Sequence, residues 1–456
     1  MKYISTRNNK VEFTFREVFI KGLADDGGLY VPKSLKRYSS QELSELKNLN
    51  YNQLSTEIIN LFTGDFISKE DLFSLVSKSY STFREKEVVK ISKVGDLKLL
   101  ELFHGPTLAF KDIAMQFIGN LYEYYLSKNN EMINIVVATS GDTGAAAIDA
   151  IKGKSNLNIF VIHPNNKISS VQRKLMTTND EKNVFNIAIN GNFDDCQNIV
   201  KTMFSDLKFS QSINMSGVNS INWARIIAQS VYYFYTYFKL NADKPLSFSV
   251  PTGNFGDVFA GYIAKKMGLP IDKLIVATNE NDILHRAISK GDYVSKKVKE
   301  TLSPSMDIQL ASNFERLIYY INNSDTLKTV EIMKKIKQNS YQIEKSNLKV
   351  IQNDFLSESC NKQETLEIIK KNYEKNNTIL DPHTAVGVGV VNKLSLNDCV
   401  VLSTAHPCKF PDAIKNAINK HEKLPKELQH IFDKKERFQL IKNNPEEVKN
   451  FIKKRV

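Results

Sequence analysis

The middle of the chain carries a repeating pattern of short apolar runs, each followed by a turn and a helical stretch. Continuous apolar strands that alternate with helices are typical of a parallel sheet covered on both faces. The pattern therefore predicts an α/β protein with two sheets, or one split sheet, and a cleft lined by loops at the carboxyl ends of the strands. The runs are INIVVATSG (133–141), LNIFVIHPNN (157–166), VFNIAING (184–191), LSFSVPTGN (246–254), KLIVATNEN (273–281) and CVVLSTAHP (399–407).

The flanking regions show a different pattern. Residues 1–90 are predicted to be helical and polar, interrupted by the turn-rich stretch DDGGLYVPKSL (25–35). Residues 315–378 are predicted to form charged helices, and the tail after Pro425 is helical and basic. We therefore expect four parts: an N-terminal domain over 1–90, a small α/β lobe over 91–225, a large α/β lobe over 226–430 and a helical basic tail over 431–456.

Composition adds little to this picture. The chain has 456 residues, and its 62 Lys and Arg against 50 Asp and Glu give a net charge of +12. A positive balance can indicate nucleic acid, an acidic membrane or an anionic substrate, but these lysines are spread along the chain among many asparagines. The aromatic run VYYFYTYF (231–238) could stack on bases, yet its helical spacing favours packing. With no nucleic-acid-binding signature beside it, we expect no nucleic-acid partner.

Cysteine spacing and hydropathy indicate the compartment. The four cysteines show no CxxC and no close pairing, which favours a reducing cytoplasm over a disulfide framework. We see no signal peptide in the N-terminal sequence and no apolar stretch long enough to span a membrane, so we expect no membrane partner. The histidines and cysteines lack the spacing of a zinc site, and no metal is expected.

Two junctions between a strand and a helix could bind an anion. In VVATSGDTGAAAIDAI (136–151), the turn after the strand supplies backbone N–H groups, hydroxyls and a helix N-terminus. Asp142 or Thr143 could alternatively serve only to cap that helix. In SFSVPTGNFGDVFAGYIAKKMG (247–268), Gly253 and Gly256 would let backbone amides approach a single phosphate group closely. Neither junction matches a nucleotide-binding motif.

Lys111 lies between the apolar run Leu108–Phe110 and an apolar helical pattern. A lysine in an apolar pocket loses solvation of its ammonium group, so its pKa falls and neutral amine becomes available to condense with an aldehyde. Alternatively, this lysine pairs with Asp112 or Glu101 at the end of a helix and has no catalytic role.

Six motifs now stand in order: HGPTLAFKD, ATSGDTGAA, VNSINWAR, VPTGNFGD, DPHTAVG and STAHPCKF. Together with the early DDGGLYVP, they resemble the threonine synthase family of pyridoxal-phosphate enzymes. The resemblance covers most of residues 1–412 and implies fold type II, the tryptophan-synthase-β-like fold, with parallel sheets and flanking helices in two lobes and an additional N-terminal domain. It departs at Thr252, where serine is frequent, and at Cys408, where alanine is frequent.

The resemblance also implies a role for each matched residue. Lys111 would hold pyridoxal 5'-phosphate covalently and act as the base, and the hydroxyl of Thr404 would lie beside the pyridine nitrogen. Arg225 would bind the substrate or its phosphate, although a structural arginine on a helix remains the alternative. The cofactor phosphate would be bound by Gly253, Asn254, Phe255 and Gly256, the substrate carboxylate by Ser140, Gly141, Asp142 and Thr143, and the rest of the substrate by Asn222 with Arg225.

The implied reaction converts O-phospho-L-homoserine and water to L-threonine and phosphate, by γ-elimination and β-addition of water, in the last step of threonine biosynthesis. A related phospholyase or dehydratase of the same fold is the alternative, and VNSINWAR with the N-terminal segment favours threonine synthase over it. A monomer or homodimer in the cytoplasm is expected.

Overall fold

A computed structural model describes residues 1–129 and 131–456. The strands are β1 Tyr3–Ser5, β2 Asn8–Phe13, β3 Tyr30–Pro32, β4 Lys90–Val94, β5 Leu97–Glu101, β6 Ile133–Ala138, β7 Leu157–Pro164, β8 Val184–Ile189, β9 Met215–Ser216, β10 Leu246–Pro251, β11 Ile271–Thr278, β12 Phe355–Ser359, β13 Cys399–Ser403 and β14 Gln439–Ile441.

The helices alternate with these strands through the middle of the chain. They are α1 Phe15–Lys21, α2 Ser40–Leu46, α3 Tyr51–Thr63, α4 Lys69–Tyr80, α5 Lys111–Asn129, α6 Asp142–Ile151, α7 Ser170–Thr177, α8 Phe193–Ser205, α9 Leu207–Ser212, α10 Trp223–Lys239, α11 Gly256–Lys266, α12 Ile283–Lys290, α13 Phe314–Ile321, α14 Thr326–Lys337, α15 Lys345–Asp354, α16 Lys362–Asn376, α17 Pro382–Lys393, α18 Pro411–Ile418 and α19 Pro445–Lys453.

Two mainly parallel sheets confirm the α/β prediction. A six-stranded sheet has the order β12-β11-β10-β13-β5-β4, and a five-stranded sheet has the order β14-β8-β7-β6-β9. Each of the six predicted apolar runs contains or overlaps a strand, β6, β7, β8, β10, β11 and β13 in chain order. These strands are almost continuously buried, as expected when helices cover both faces of a sheet.

Sheet pairing corrects the expected lobe boundary. Residues 91–101 were expected in the small lobe, but β5 pairs in parallel with β13, and β4 pairs antiparallel with β5. The first strands after residue 90 therefore complete the six-stranded sheet of the large lobe. The apolar pattern did not indicate this, because it does not specify which strand is a neighbour of which.

Three further elements differ from the predicted helices. Within residues 1–90, β1 pairs antiparallel with β2 and β3 and contributes buried side chains such as Tyr3. β12 lies within the region 315–378 and pairs with β11. In the tail, β14 pairs with β8 and extends the five-stranded sheet. All three are short strands whose conformation comes from pairing with distant segments and not from local periodicity.

The aromatic run 231–238 packs into the protein interior, as its helical spacing predicts. It lies on α10, where Val231, Tyr232, Tyr233 and Phe234 are fully buried. No helix in the described part of the chain is long and apolar enough to cross a membrane. The N-termini of α5, α6 and α11 lie near one another, because Lys111 at the start of α5 contacts Asp142 at the start of α6 and faces Asp257 at the start of α11. The N-terminus of α17 lies at the carboxyl end of β13, where Thr384 contacts Ser403.

Candidate active site

Lys111 is the first residue of α5 and is only 8% exposed. Its Nζ lies 3.4 Å from Asp142 Oδ2 and 3.4 Å from Ser305 Oγ. The same nitrogen is 4.7 Å from the centre of the Phe110 ring. The amine therefore sits in a partly apolar pocket, with one carboxylate at the edge of hydrogen-bonding distance.

The segment before Lys111 is anchored on both sides. Phe110 N donates to the carbonyl of Thr404 at 2.9 Å, which brings Thr404 beside the lysine segment. Asp112 accepts hydrogen bonds from the backbone N–H of Thr107 at 2.8 Å and from its hydroxyl at 2.6 Å. Burial raises the pKa of Asp112 to about 6, against the hydrogen bonds from Thr107. These contacts hold the start of α5 in place, so the position of Lys111 does not depend on its own weak contacts.

Burial lowers the pKa of Lys111. The charges of Lys409 and Arg225 lower it further, whereas Asp142 opposes them. The neutral amine is the reactive form of lysine toward a carbonyl group, and it is also the form that can accept a proton. The lowered pKa agrees in direction with the effect expected of a lysine in an apolar pocket, and the catalytic role of Lys111 stays a prediction.

The loop between β6 and α6 presents backbone N–H groups beside this amine. Thr139 Oγ1 accepts hydrogen bonds from the N–H of Gly141 at 2.9 Å and from the N–H of Gly144 at 2.8 Å. The side chain that caps α6 is therefore Thr139, and not Asp142 or Thr143 as the alternative interpretation of the sequence proposed. The N–H groups of Asp142 and Thr143 donate to no acceptor within residues 1–129 and 131–456. They remain available to an anion at a helix N-terminus.

Gly141 is required by the geometry of this loop. Its φ is +132°, and a Cβ there would lie 2.7 Å from Cδ of the buried Gln172. Gln172 in turn donates to Asp142 Oδ1 at 2.8 Å. A residue with a side chain at position 141 would therefore disturb both the loop and the orientation of the Asp142 carboxylate.

The loop between β10 and α11 is the second of the two strand–helix junctions that present backbone N–H groups unpaired among the described residues. Phe255 adopts a left-handed conformation, with φ of +62°, directly before the helix. In the described chain, the N–H groups of Gly253, Asn254, Phe255 and Gly256 donate to no protein acceptor. A Cβ at Gly253 would lie 2.6 Å from the carbonyl oxygen of Ser305, the residue that also contacts Lys111. The segment around Ser305 therefore connects the two regions.

Within the described part of the chain, Arg225 is a buried cation with no direct partner. It is 3% exposed, its Nε has no hydrogen-bond partner, and no ion pair within 4 Å is found for it among the described residues. Burial lowers the pKa of Arg225 to about 10, against the attraction of Tyr232 and Asp257. A buried guanidinium without a bound anion is unusual, because it loses hydration without compensation. We interpret it as a group prepared to receive one.

Asp257 follows the second loop and balances part of this charge. Tyr233 donates to Asp257 Oδ1 at 2.9 Å, and Tyr232 donates to the same oxygen. Asp257 Oδ2 has no partner in the described structure, and burial raises the pKa of the carboxyl group to about 6.

Asn222 has structural partners that the sequence did not suggest. It is fully buried, its Oδ1 caps α10 by accepting from Ala224 N at 3.0 Å, and its Nδ2 donates to the carbonyl of Phe19 at 2.9 Å. These contacts place Asn222 in the support of α10, the helix that carries Arg225. Its contact with a substrate stays a prediction.

The structure adds residues that sequence reasoning did not select. They are Lys409, Gln172, Ser305 and Asp257, which contact or face Lys111, Asp142 or Arg225. Lys409 and Asp257 lie inside the motifs STAHPCKF and VPTGNFGD, where each was a charged residue next to an apolar one. Ser305 and Gln172 had no comparable signal in the sequence.

Three family models match the chain. "Threonine synthase N terminus" matches residues 2–80, "Pyridoxal-phosphate dependent enzyme" matches 96–338, and "Threonine synthase, C-terminal" matches 384–452. The threonine synthase of Saccharomyces cerevisiae is 44% identical and covers 99% of this chain and 97% of its own. That of Pseudomonas aeruginosa is 42% identical, with coverages of 99% and 98%.

Solved structures agree with these matches. Threonine synthase from Brucella melitensis, determined with bound pyridoxal phosphate, superposes with a TM-score of 0.96 at 43% identity and covers 100% of this chain and 99% of its own. The yeast threonine synthase structure gives 0.93 at 43% identity, with coverages of 100% and 98%. These likenesses confirm the expected fold type II architecture.

Proposed function

Because this chain belongs to the threonine synthase family of pyridoxal-phosphate-dependent enzymes, we propose which of its residues perform each part of that family's reaction. The protein converts O-phospho-L-homoserine and water to L-threonine and phosphate, with pyridoxal phosphate as cofactor. A phospholyase or dehydratase of the same fold is not favoured, because relatives named threonine synthase match over almost their full length.

The residues present fit pyridoxal phosphate. Lys111 supplies a buried amine of lowered pKa, and the loop Gly253–Gly256 supplies N–H groups that have no acceptor in the described chain. A Cβ at Gly253 would lie 2.6 Å from the carbonyl oxygen of Ser305, so the loop backbone packs directly against the Ser305 segment and requires glycine at this position. Lys111, Gly253, Asn254, Phe255, Gly256 and Thr404 would hold the group, which when bound supplies an electron-accepting ring that stabilises negative charge next to the substrate amine.

In this proposal Lys111 carries the protons of the reaction. Its neutral Nζ takes the proton from the α-carbon of the substrate and then serves the proton transfers at the β- and γ-carbons. The buried pocket supports this role, since a solvated ammonium at neutral pH would hold its own proton and could not act as a base. The proposal depends mainly on the position of this amine. It lies 3.4 Å from Asp142 and 3.4 Å from Ser305, and the carbonyl of Ser305 packs against Gly253.

The substrate is held at its two charged ends. The loop Ser140–Thr143 receives the α-carboxylate, for which the N–H groups of Asp142 and Thr143 at the start of α6 are available. Arg225 receives the phosphate of the substrate, because its guanidinium is buried and has no partner within the described chain. Asn222 contributes by holding the first turn of α10, which keeps Arg225 in place.

The test is to locate the site of cofactor attachment. Reduction of the full-length holoenzyme with borohydride, followed by digestion, should place the pyridoxyl label on Lys111. Lys111→Ala should lose the label and turnover while retaining its far-UV circular dichroism, and the exposed Lys415→Ala should match the native protein in both. A label on another lysine, or threonine formed by Lys111→Ala at a near-native rate, would show that the assignment is wrong.

We propose that the enzyme acts as a monomer or homodimer in the cytoplasm, without a nucleic-acid or membrane partner. The four cysteines support a reducing compartment, because all of them are buried free thiols. Size-exclusion chromatography with light scattering measures the oligomeric state directly.

A further inference from the structure

Lys409 is a fully buried charged residue near Lys111. It is the last residue of a short 3-10 helix, Pro407–Lys409, that follows β13, and it is 0% exposed. Its Nζ lies 2.7 Å from Asp142 Oδ1 and donates to the carbonyl of Thr107, also at 2.7 Å. A charged amine is rarely buried so completely unless it is paired. Its pairing here is with the same carboxylate that faces Lys111.

Asp142 is unequally shared between the two lysines. Oδ1 contacts Lys409 at 2.7 Å and accepts from Gln172 at 2.8 Å, whereas Oδ2 lies 3.4 Å from Lys111. Burial alone would raise the pKa of Asp142, but Lys409 and then Lys111 lower it well below its usual range. The carboxylate is therefore ionised, and its short ion pair is formed with Lys409.

The charge balance around Lys111 follows from this arrangement. A carboxylate that contacted only Lys111 would favour the ammonium form of that residue, whereas a second cation on the same carboxylate cancels this effect. Charged groups from several elements face this amine. They are Asp142 on α6, Arg225 on α10, Asp257 on α11 and Lys409 after β13. Asp112 is its neighbour on α5, and His383 on α17 lies beyond Asp142.

We infer that Lys409 is a positioning residue for the reaction: by forming the short ion pair with Asp142, it prevents that carboxylate from retaining a proton on Lys111 and keeps the Lys111 amine neutral. The backbone of Lys409 reinforces the arrangement, because its carbonyl accepts from Ser169 Oγ at 2.7 Å, at the start of the helix that carries Gln172. This inference rests on the role proposed above for Lys111.

The test measures the protonation of Lys111 directly. Full-length, cofactor-free protein is acetylated with a trace of acetic anhydride across a pH series, and mass spectrometry of the Lys111 peptide gives its apparent pKa. In Lys409→Met, Lys111 is the remaining lysine on Asp142, which still accepts from Gln172. The apparent pKa of Lys111 should therefore rise by about one pH unit, and its acetylation at pH 7.5 should fall by about three- to tenfold. Lys409→Arg, which keeps the charge, should stay close to the native protein, as should the exposed Lys415→Met.

Lys409→Gln is the second variant, because it can still donate to the Thr107 carbonyl without a charge. It should reproduce the rise in the pKa of Lys111, and in the holoenzyme the acidic limb of the kcat/KM profile should move to higher pH. A folded Lys409→Gln or Lys409→Met protein with the native pKa at Lys111, and with activity lowered equally at every pH, would overturn the inference and leave Lys409 a purely structural role. The acetylation result does not depend on where the cofactor attaches, so failure of the Lys111 assignment would be seen separately by borohydride labelling.

Discussion

Replacing Arg225 by methionine should stabilise the ligand-free protein while removing most of its activity. Methionine has a similar volume, a shorter unbranched chain and no charge, and the position is 3% exposed with no hydrogen bond or ion pair from the side chain in the described structure. The native guanidinium therefore bears the cost of burial without a partner until an anion binds. Most core substitutions destabilise a protein, so an increase in stability here would be specific evidence for a binding role.

The magnitude follows from the electrostatics of the site. Burial lowers the pKa of Arg225 to about 10 from its ordinary value, which corresponds to about 3 kcal/mol against the charged form. We expect Arg225→Met to raise the free energy of unfolding by about 1–3 kcal/mol. Loss of a charge-assisted contact with the substrate phosphate should cost about 2–5 kcal/mol, or about 30-fold to several-thousand-fold in kcat/KM.

The assay is urea unfolding of the cofactor-free protein, followed by circular dichroism and by the fluorescence of the buried Trp223, the single tryptophan. In the holoenzyme, where the cofactor phosphate would occupy the loop Gly253–Gly256, inorganic phosphate should stabilise the native protein against urea and have less effect on Arg225→Met, because a ligand stabilises the folded state only when it binds there. Kinetics with O-phospho-L-homoserine measure the loss in kcat/KM.

Arg316 offers a matched contrast. It is also fully buried, but its Nε donates to the carbonyl of Tyr30 at 3.0 Å and its Nη2 to that of Ile221 at 2.6 Å. Arg316→Met leaves these acceptors unpaired and should destabilise the protein by at least about 3 kcal/mol. If Arg225→Met were destabilised to the same degree, and if phosphate protected its holoenzyme as strongly as the native holoenzyme, the interpretation of Arg225 as an anion-binding residue would be refuted.

Three further substitutions test other parts of the site. The pKa of Asp257, about 6 in the folded protein, lies above the value of an exposed carboxyl group, so the native protein loses stability as pH rises from about 4 to 6. Asp257→Asn lacks this loss, so its free energy of unfolding in urea, relative to that of the native protein, should increase by up to about 3 kcal/mol between pH 4 and 7. A difference that stayed constant with pH would contradict the burial argument. Thr404→Asp should change the absorption spectrum of the bound cofactor and the side products, because a carboxylate keeps a pyridine nitrogen protonated, and an unchanged spectrum would mean that Thr404 does not contact the ring. Gly253→Ala would place a Cβ 2.6 Å from the carbonyl oxygen of Ser305, so cofactor retention in equilibrium dialysis should weaken by at least about tenfold, and native affinity would show that the loop has room to move.

The long apolar strands were predictable because their pattern is local. Each of β6, β7 and β10 is buried along almost its whole length, so its sequence is a continuous apolar run followed by a turn. The short strands β1, β12 and β14 were assigned to helical regions, because their conformation comes from pairing with segments distant in the sequence. The membership of residues 91–101 in the six-stranded sheet was missed for the same reason.

Within the site, the candidate residues are those whose chemistry can be inferred from a motif. Lys111 stands out as a charge in an apolar context, and the glycine-bearing turns at 141 and 253 indicate backbone amides that approach an anion. Lys409 belongs to one of the quoted motifs, yet its distance to Asp142 depends on how β13 and α6 are arranged. Ser305 reaches Lys111 from 194 residues away along the chain, and no local pattern contains that separation.

The amino-acid sequence by itself determined the architecture of alternating strands and helices, the lysine and the two anion-binding turns, because these depend on local periodicity, turn chemistry and residue type. Only the tertiary structure decided which charges meet. It set Lys409 against Asp142, left Arg225 without a partner in the described chain and withdrew Lys111 from water. Protonation states follow from burial and from charges a few ångströms away, and both are properties of the folded chain.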